Sequence, residues 1–260
     1  MIWLVSACAV LGLLVGSFLN VVIWRVPRGE SVVRPPSACS SCAHPIRPRD
    51  NVPVVSWLVL RGRCRDCRAS ISARYPGVEA GTAVLFGLTA WALGPVWHLP
   101  AYLYLAAIAV ALALIDLDVH RLPNAIVLPS YVVGGVLLAA GALLDGEPQP
   151  LLPAAIGALA LFGLYFALAF VHPAGMGFGD VKLAGVLGMY LAFLGWEALL
   201  VGAFLGFLLG GLGGGLLMAV GRAGRKSRIP FGPFMLLGAA VGIVAGNLVA
   251  GWYLGLVGLS

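Results

Sequence analysis

Eight times along its length the sequence settles into an apolar run that ends in glycine, proline or charged residues. Most of these runs approach the roughly 20 residues needed to cross a hydrocarbon core. Only 10% of the chain is charged and 61% is hydrophobic, against the roughly 25% charge of an ordinary soluble domain. Such a chain cannot clothe itself in a water-facing surface, so a bilayer is its expected solvent. The formal charge of +6 sits in a few short clusters. That distribution points to membrane orientation and not to a nucleic-acid partner.

The first run, Ile2 to Trp24, has neither the basic start nor the small-residue cleavage site of a signal peptide and is expected to be a retained span. A polar stretch with ten arginines occupies 25–76. Further runs follow at about 78–93, 101–115, 125–144, 151–171, 181–194, 198–220 and from 231 onward. The run after Asp180 has only about 14 residues, short for a crossing at 1.5 Å per residue; it must start deep in the protein or sit where the membrane is thin. The expected fold is an all-α polytopic membrane protein of about eight transmembrane helices with a small cytoplasmic zinc-ribbon-like insertion. The expected parts are a first span over 1–24, a cysteine-rich zinc-binding loop over 25–76 and a membrane-embedded remainder over 77–260.

Placing the residues after the first span inside gathers all sixteen Lys and Arg into loops 25–76, 116–124, 172–182 and 221–230. The opposite loops carry Asp145, Glu147 and Glu197. By the positive-inside rule, the cysteine loop, Asp116 and Asp180 are therefore expected to face the cytoplasm. In the second half, Gly202, Gly206 and Gly210 form a stripe at four-residue spacing. It reads as a packing seam between helices, with a moving gate as the alternative.

Cys39-Ser40-Ser41-Cys42 and Cys64-Arg65-Asp66-Cys67 form a C-x2-C, x21, C-x2-C pattern. Two such hooks can surround one Zn²⁺ tetrahedrally, and four sulfur ligands leave no open position, so the metal is expected to be structural. Its binding energy would order a loop too small to fold on its own core. Disulfides do not suit a reducing compartment. His44 is a possible alternate ligand, and Cys8, inside an apolar run, reads as a packing residue.

The chain's other chemistry lies in Gly175-Met176-Gly177-Phe178-Gly179-Asp180-Val181-Lys182, at the head of an apolar run, and in Asp116, 64 residues earlier at the end of another. Ionisable groups at such positions are costly unless paired, hydrated or reactive. Two carboxylates sharing a site hold one proton between them, so the ionised acid can take a proton from water while its partner steadies a developing oxyanion. No serine or histidine nucleophile is required. Gly177 and Gly179 allow close approach of an extended peptide or form a simple turn. Lys182 points away from Asp180 along the helix and is expected to support the site, not to act as its base. Asp118 competes with Asp116, which lies nearer the apolar helix; periodicity does not separate them.

The sequence resembles the bacterial prepilin leader peptidase/N-methyltransferase family, membrane aspartic proteases of the GxGD type that process type IV prepilins and type II secretion pseudopilins. The resemblance runs over nearly the whole chain. It is carried by Gly16-Ser17-Phe18-Leu19-Asn20 through Arg25-Val26-Pro27, the paired cysteine motifs, Ile115-Asp116-Leu117-Asp118 with Leu122-Pro123-Asn124, Gly177-Phe178-Gly179-Asp180-Val181-Lys182-Leu183, and Ile229-Pro230-Phe231-Gly232-Pro233-Phe234. It implies catalysis by Asp116 and Asp180, with 77–260 as the membrane-embedded aspartic protease domain in a bacterial inner membrane. It also implies substrates with a basic leader and a hydrophobic N-terminal helix, alongside membrane lipids. Methylation of the new amino terminus with S-adenosylmethionine is implied by resemblance alone. Asn124 stands where relatives often carry an acid. Two other functions fit the residues: a proton- or cation-coupled transporter using Asp116 and Asp180, and a non-catalytic zinc-bearing membrane scaffold.

Overall fold

The computed structural model describes residues 1–171, 176–220 and 230–256. His172, Pro173, Gly175, the basic run Arg222, Arg225, Lys226 and Arg228, and Ile229 lie outside the described residues. Those described form α1 (Ile2–Arg25), α2 (Val55–Val59), α3 (Arg74–Leu93), α4 (Leu99–Val119), α5 (Asn124–Leu144), α6 (Leu151–Val171), α7 (Phe178–Leu194), α8 (Trp196–Ala219) and α9 (Gly232–Leu256). They fall into two compact units, Met1–Pro95 with Leu103–Ala111, and Val96–Tyr102 with Leu112–Ser260.

Two expectations are corrected. Among the described residues six helices, not eight, are long and apolar enough to cross a membrane: Ile2–Arg28, Leu99–Val119, Asn124–Leu144, Leu151–Val171, Trp196–Leu216 and Gly232–Leu256. The helices that drop out are α3, diluted by Arg74, Glu79, Thr82 and Thr89, and α7, whose 17 residues rise only about 26 Å. Nor is there a zinc ribbon, because the described residues contain no β-sheet. The cysteine segment has only two isolated bridges, Ala38 to Pro45 and Arg63 to Ser70.

In the first unit α1 and α3 pack antiparallel through glycine. A Cβ on Gly12 would lie 2.7 Å from Ala83 Cα, and one on Gly16 2.7 Å from Glu79 Cα, so the backbones meet where no side chain intervenes. In the second unit α7 is the core, with Val181 and every residue from Leu183 to Phe193 buried. Short residues admit its neighbours. Tyr131 in α5 reaches past Gly185 to donate to the Lys182 carbonyl at 2.6 Å, and Tyr102 in α4 donates to the Tyr190 carbonyl at 2.8 Å. The Gly202, Gly206 and Gly210 stripe is a packing seam: Gly202 and Gly206 lie against α9 backbone at Gly238 and Met235, and Gly210 against the Phe231 ring.

This packing gives the second unit two chemically different ends. At one end the C-terminus of α4 meets the N-termini of α5, α7 and α9. At the other, His98 Nδ1 is hydrogen-bonded to Asp145 Oδ2 at 2.8 Å and its ring meets Phe193 edge-on.

Candidate active site and metal centre

Asp116 occupies the last turn of α4, which stops at His120 in a left-handed conformation (φ 53°) whose N–H bonds the Asp116 carbonyl at 2.9 Å. Its side chain is only 5% exposed and accepts one described hydrogen bond, from the Gly232 N–H in the first turn of α9, at 3.1 Å to Oδ2. Glycine at 232 leaves the acid its place, since a Cβ would lie 2.9 Å from that same oxygen and 3.3 Å from Leu122 Cδ2 and would push the carboxylate aside. Asp118, two residues on, is exposed.

Asp180 is the third residue of α7. Its Oδ2 turns back to accept the Gly177 N–H at 3.2 Å, and its own N–H bonds the Gly177 carbonyl at 3.0 Å, which closes the helix start. An acid at this position also meets the positive end of the helix dipole. A Cβ on Gly179 would meet Leu122 Cβ at 3.0 Å. Leu122 therefore lies against both Gly179, beside Asp180, and Gly232, beside Asp116. The two carboxylates interact electrostatically, and Tyr165 in α6 also lies within range of the Asp180 charge. Each acid thus has one oxygen held by a glycine amide, with no hydrogen bond to its other oxygen among the described residues.

Lys182 is directed away from both acids. Its Nζ donates to Asn124 Oδ1 at 2.9 Å and lies 4.8 Å above the Phe178 ring. Its partner is a neutral amide, and the bond ties the starts of α5 and α7 together. Sequence reasoning gave Leu122 and Gly232 no role of their own. Both sat inside stretches noted for resemblance, but only the fold reveals that they lie beside the acids.

In the first unit the four sulfurs of Cys39, Cys42, Cys64 and Cys67 lie within 4.8 Å of one another. Two matched turns bring them there. In each, the residue four beyond the first cysteine (Ala43, φ 56°; Arg68, φ 62°) is left-handed and bonds back to that cysteine's carbonyl. The Cys39 to Cys67 sulfur separation is 3.7 Å. Tetrahedral zinc with Zn–S bonds of about 2.3 Å needs an S to S edge of about 3.8 Å, so the cluster fits that ion. The Cys42 and Ser41 amides hold the Cys39 thiol down at about 6. At Cys67 the Ala69 amide lowers the thiol, but desolvation and the neighbouring sulfurs outweigh it and push it up to about 12. His44 only accepts the Cys39 N–H through its carbonyl and is not one of the four clustered ligands.

Fold and site together describe a polytopic helical membrane protein with an acid pair at its helix ends and a metal-binding cysteine cluster beside the first helix pair. The family model for the bacterial peptidase A24 N-terminal domain matches residues 10–93, and that for the type IV leader peptidase family matches residues 103–215. Curated relatives called prepilin leader peptidase/N-methyltransferase are similar over nearly their full length. The one from Aeromonas hydrophila is 39% identical over 93% of this chain and 91% of its own, and the one from Neisseria gonorrhoeae 38% over 96% and 94%. The one from Stutzerimonas stutzeri is 36% identical over 95% and 93%. No solved structure matches. The chain belongs to the bacterial prepilin leader peptidase/N-methyltransferase family.

Proposed function

We propose that Asp116 and Asp180 are the catalytic pair with which this protein cuts its substrates. The protein is a membrane enzyme of a family that cleaves the leaders of prepilins and pseudopilins, so the open question is which residues act and how. The observation that carries the assignment is the gathering of two acids from different helices at one end of the unit, each bonded to a glycine N–H, with Leu122 against the glycine beside each. A water between the remaining oxygens loses a proton to the ionised acid and attacks the scissile carbonyl. The protonated acid donates to the oxygen that becomes negative, and the proton then passes to the leaving amine. Gly177 and Gly179 support the site by leaving room beside Asp180, and Lys182 fixes the α5 and α7 starts through Asn124.

The substrate's basic leader would remain in water while its apolar helix stays in lipid, which places the scissile bond at the level of the acids. A cytoplasmic position for this end is supported by its charge. Arg121 and Lys182 lie there, whereas Asp145, Glu147 and Glu197 belong to the opposite loops of this unit, which contain no Lys or Arg. A structural Zn²⁺ on Cys39, Cys42, Cys64 and Cys67 is supported by the sulfur spacing; the ion supplies cross-linking only, since all four positions are protein ligands. Transfer of a methyl group from S-adenosylmethionine to the freed amino terminus is proposed from the relatives' shared name.

The test is cleavage of a prepilin by the purified full-length enzyme in lipid, set against Asp116→Asn and Asp180→Asn. Each replacement keeps the side chain's shape and is expected to slow cleavage by at least about 10²- to 10⁴-fold. Cleavage at the native rate by either variant would overturn the assignment.

A further inference from the structure

Between the two cysteine turns lies a stretch that the arginine-rich composition of 25–76 conceals. Val52-Pro53-Val54-Val55-Ser56-Trp57-Leu58-Val59-Leu60 contains one polar side chain, Ser56, and is bracketed by Arg49 and Arg61. In the structure its polar groups turn inward. Ser56 is buried, accepts the Val52 N–H at 3.0 Å and donates to the Arg49 carbonyl at 3.1 Å, while Trp57 Nε1 donates to the Ile71 carbonyl at 3.1 Å. The apolar groups turn outward: Val52 is 47% exposed, Val55 55%, Leu58 60% and Val59 70%. Four large aliphatic side chains within eight residues make a patch that water does not favour.

The depth of this stretch follows from the helix pair beside it. Along the α1 and α3 interface Asn20 bonds the Tyr75 carbonyl at 3.2 Å and Gly16 lies against Glu79. Gly16 is nine residues inside Arg25, about 13 Å along the helix axis. At the outer end Arg28 stacks on the Trp24 ring at 3.6 Å, the aromatic and cationic pairing of a membrane interface. Glu79, 9% exposed, accepts the Val54 N–H at 2.7 Å. Its side chain leans toward the start of α3, which holds Val54 near the level of Asn20 and on the apolar side of Arg25 and Trp24. The ends of the stretch are clamped to the cysteine cluster. Arg65 binds both oxygens of Asp50 at 2.6–3.0 Å, and Arg47 binds Asp66 at 3.0 Å. Arg49, Arg61 and Arg63 remain exposed around the apolar tip.

We infer that Val52–Leu60 is an interfacial membrane anchor, with Val55, Leu58 and Val59 against lipid acyl chains and the surrounding arginines at phosphate headgroups. An apolar tip ringed by cations, held at the depth where acyl chains meet headgroups, matches a lipid surface in both its parts. The cysteine cluster then acquires a mechanical role, since it grips the base of the anchor from both sides. This inference does not depend on which acids are catalytic.

Photo-crosslinking in vesicles containing anionic lipid tests it. A benzophenone amino acid is placed in the full-length protein at Leu58 or Val59, with Leu14, an exposed α1 residue, as the lipid-facing reference and Ser41 as the water-facing one. Lipid adducts at Leu58 and Val59 are expected at about the Leu14 yield and roughly tenfold above Ser41. Cleavage activity, measured on the same samples, identifies any variant that fails to fold. Active protein whose Leu58 and Val59 sites give lipid adducts no more often than Ser41 would overturn the inference. So would adducts mainly to a second copy of the chain or to an added prepilin.

Discussion

At the scale of single residues, the site depends on two backbone amides as much as on two acids. Gly232 supplies the only described hydrogen bond to the Asp116 side chain from a position where a methyl group would strike the same oxygen. Gly232→Ala is therefore expected to lower kcat by about 10-fold or more through displacement of Asp116, while KM changes little. Steady-state kinetics on a prepilin substrate check this, and an unchanged kcat would mean that the amide does not position the acid. Asp116, Asp180 and the GxGD glycines of the proposed site stand out in the sequence because charge inside an apolar pattern is conspicuous. Gly232 and Leu122 were not legible as neighbours of the acids. A glycine's value lies in what it touches, and α9 begins 116 residues after Asp116.

At the scale of helices, α7 runs from the site end of the second unit to the opposite end, where Phe193 meets His98. Removing the Tyr102 hydroxyl, buried against the Tyr190 carbonyl, with Tyr102→Phe should cost about 0.5–2 kcal/mol, read as a lower midpoint of unfolding in detergent. At the far end, desolvation raises the Asp145 carboxyl, but the His98 hydrogen bond and the Trp97 amide outweigh it and hold it below its usual range. A depressed carboxylate stabilises the fold above its unfolded value near pH 3.9, and that contribution is lost as pH falls through the lower folded value. Melting curves from pH 6 to pH 3 should thus show Asp145→Asn losing less stability on acidification than the native chain. Equal losses would remove this clip from the account. The hydropathy of the sequence located the helices but overcounted those long and apolar enough to cross a membrane. Run by run it picks out apolar stretches, so α7, only 17 residues long, and α3, diluted by Arg74, Glu79, Thr82 and Thr89, were counted with the longer and more apolar helices.

At the scale of the whole molecule, the cysteine cluster lies in a segment that has neither a sheet nor a sizeable core, and zinc is proposed to order it. Structural zinc contributes an apparent binding energy of about 10–16 kcal/mol in small motifs, more than enough to fix two five-residue turns. Enzyme purified without added metal is expected to carry one zinc per chain by elemental analysis. Cys39→Ser with Cys64→Ser should lose it and open 30–72 to proteolysis. Full metal-free protein with that segment still protected would contradict the role. The spacing of the four cysteines made the cluster legible in advance. The apolar anchor beside it was hidden because ten arginines dominated the average over its surroundings.

The central claim is that Asp116 and Asp180 act as one unit, and a double-mutant cycle on single-turnover cleavage measures that directly. If the acids share one proton and one water, either Asn variant removes the whole mechanism, and Asp116→Asn with Asp180→Asn together should be no slower than either alone. Losses that multiply in the double variant, or a single variant that cleaves at the native rate, would contradict it.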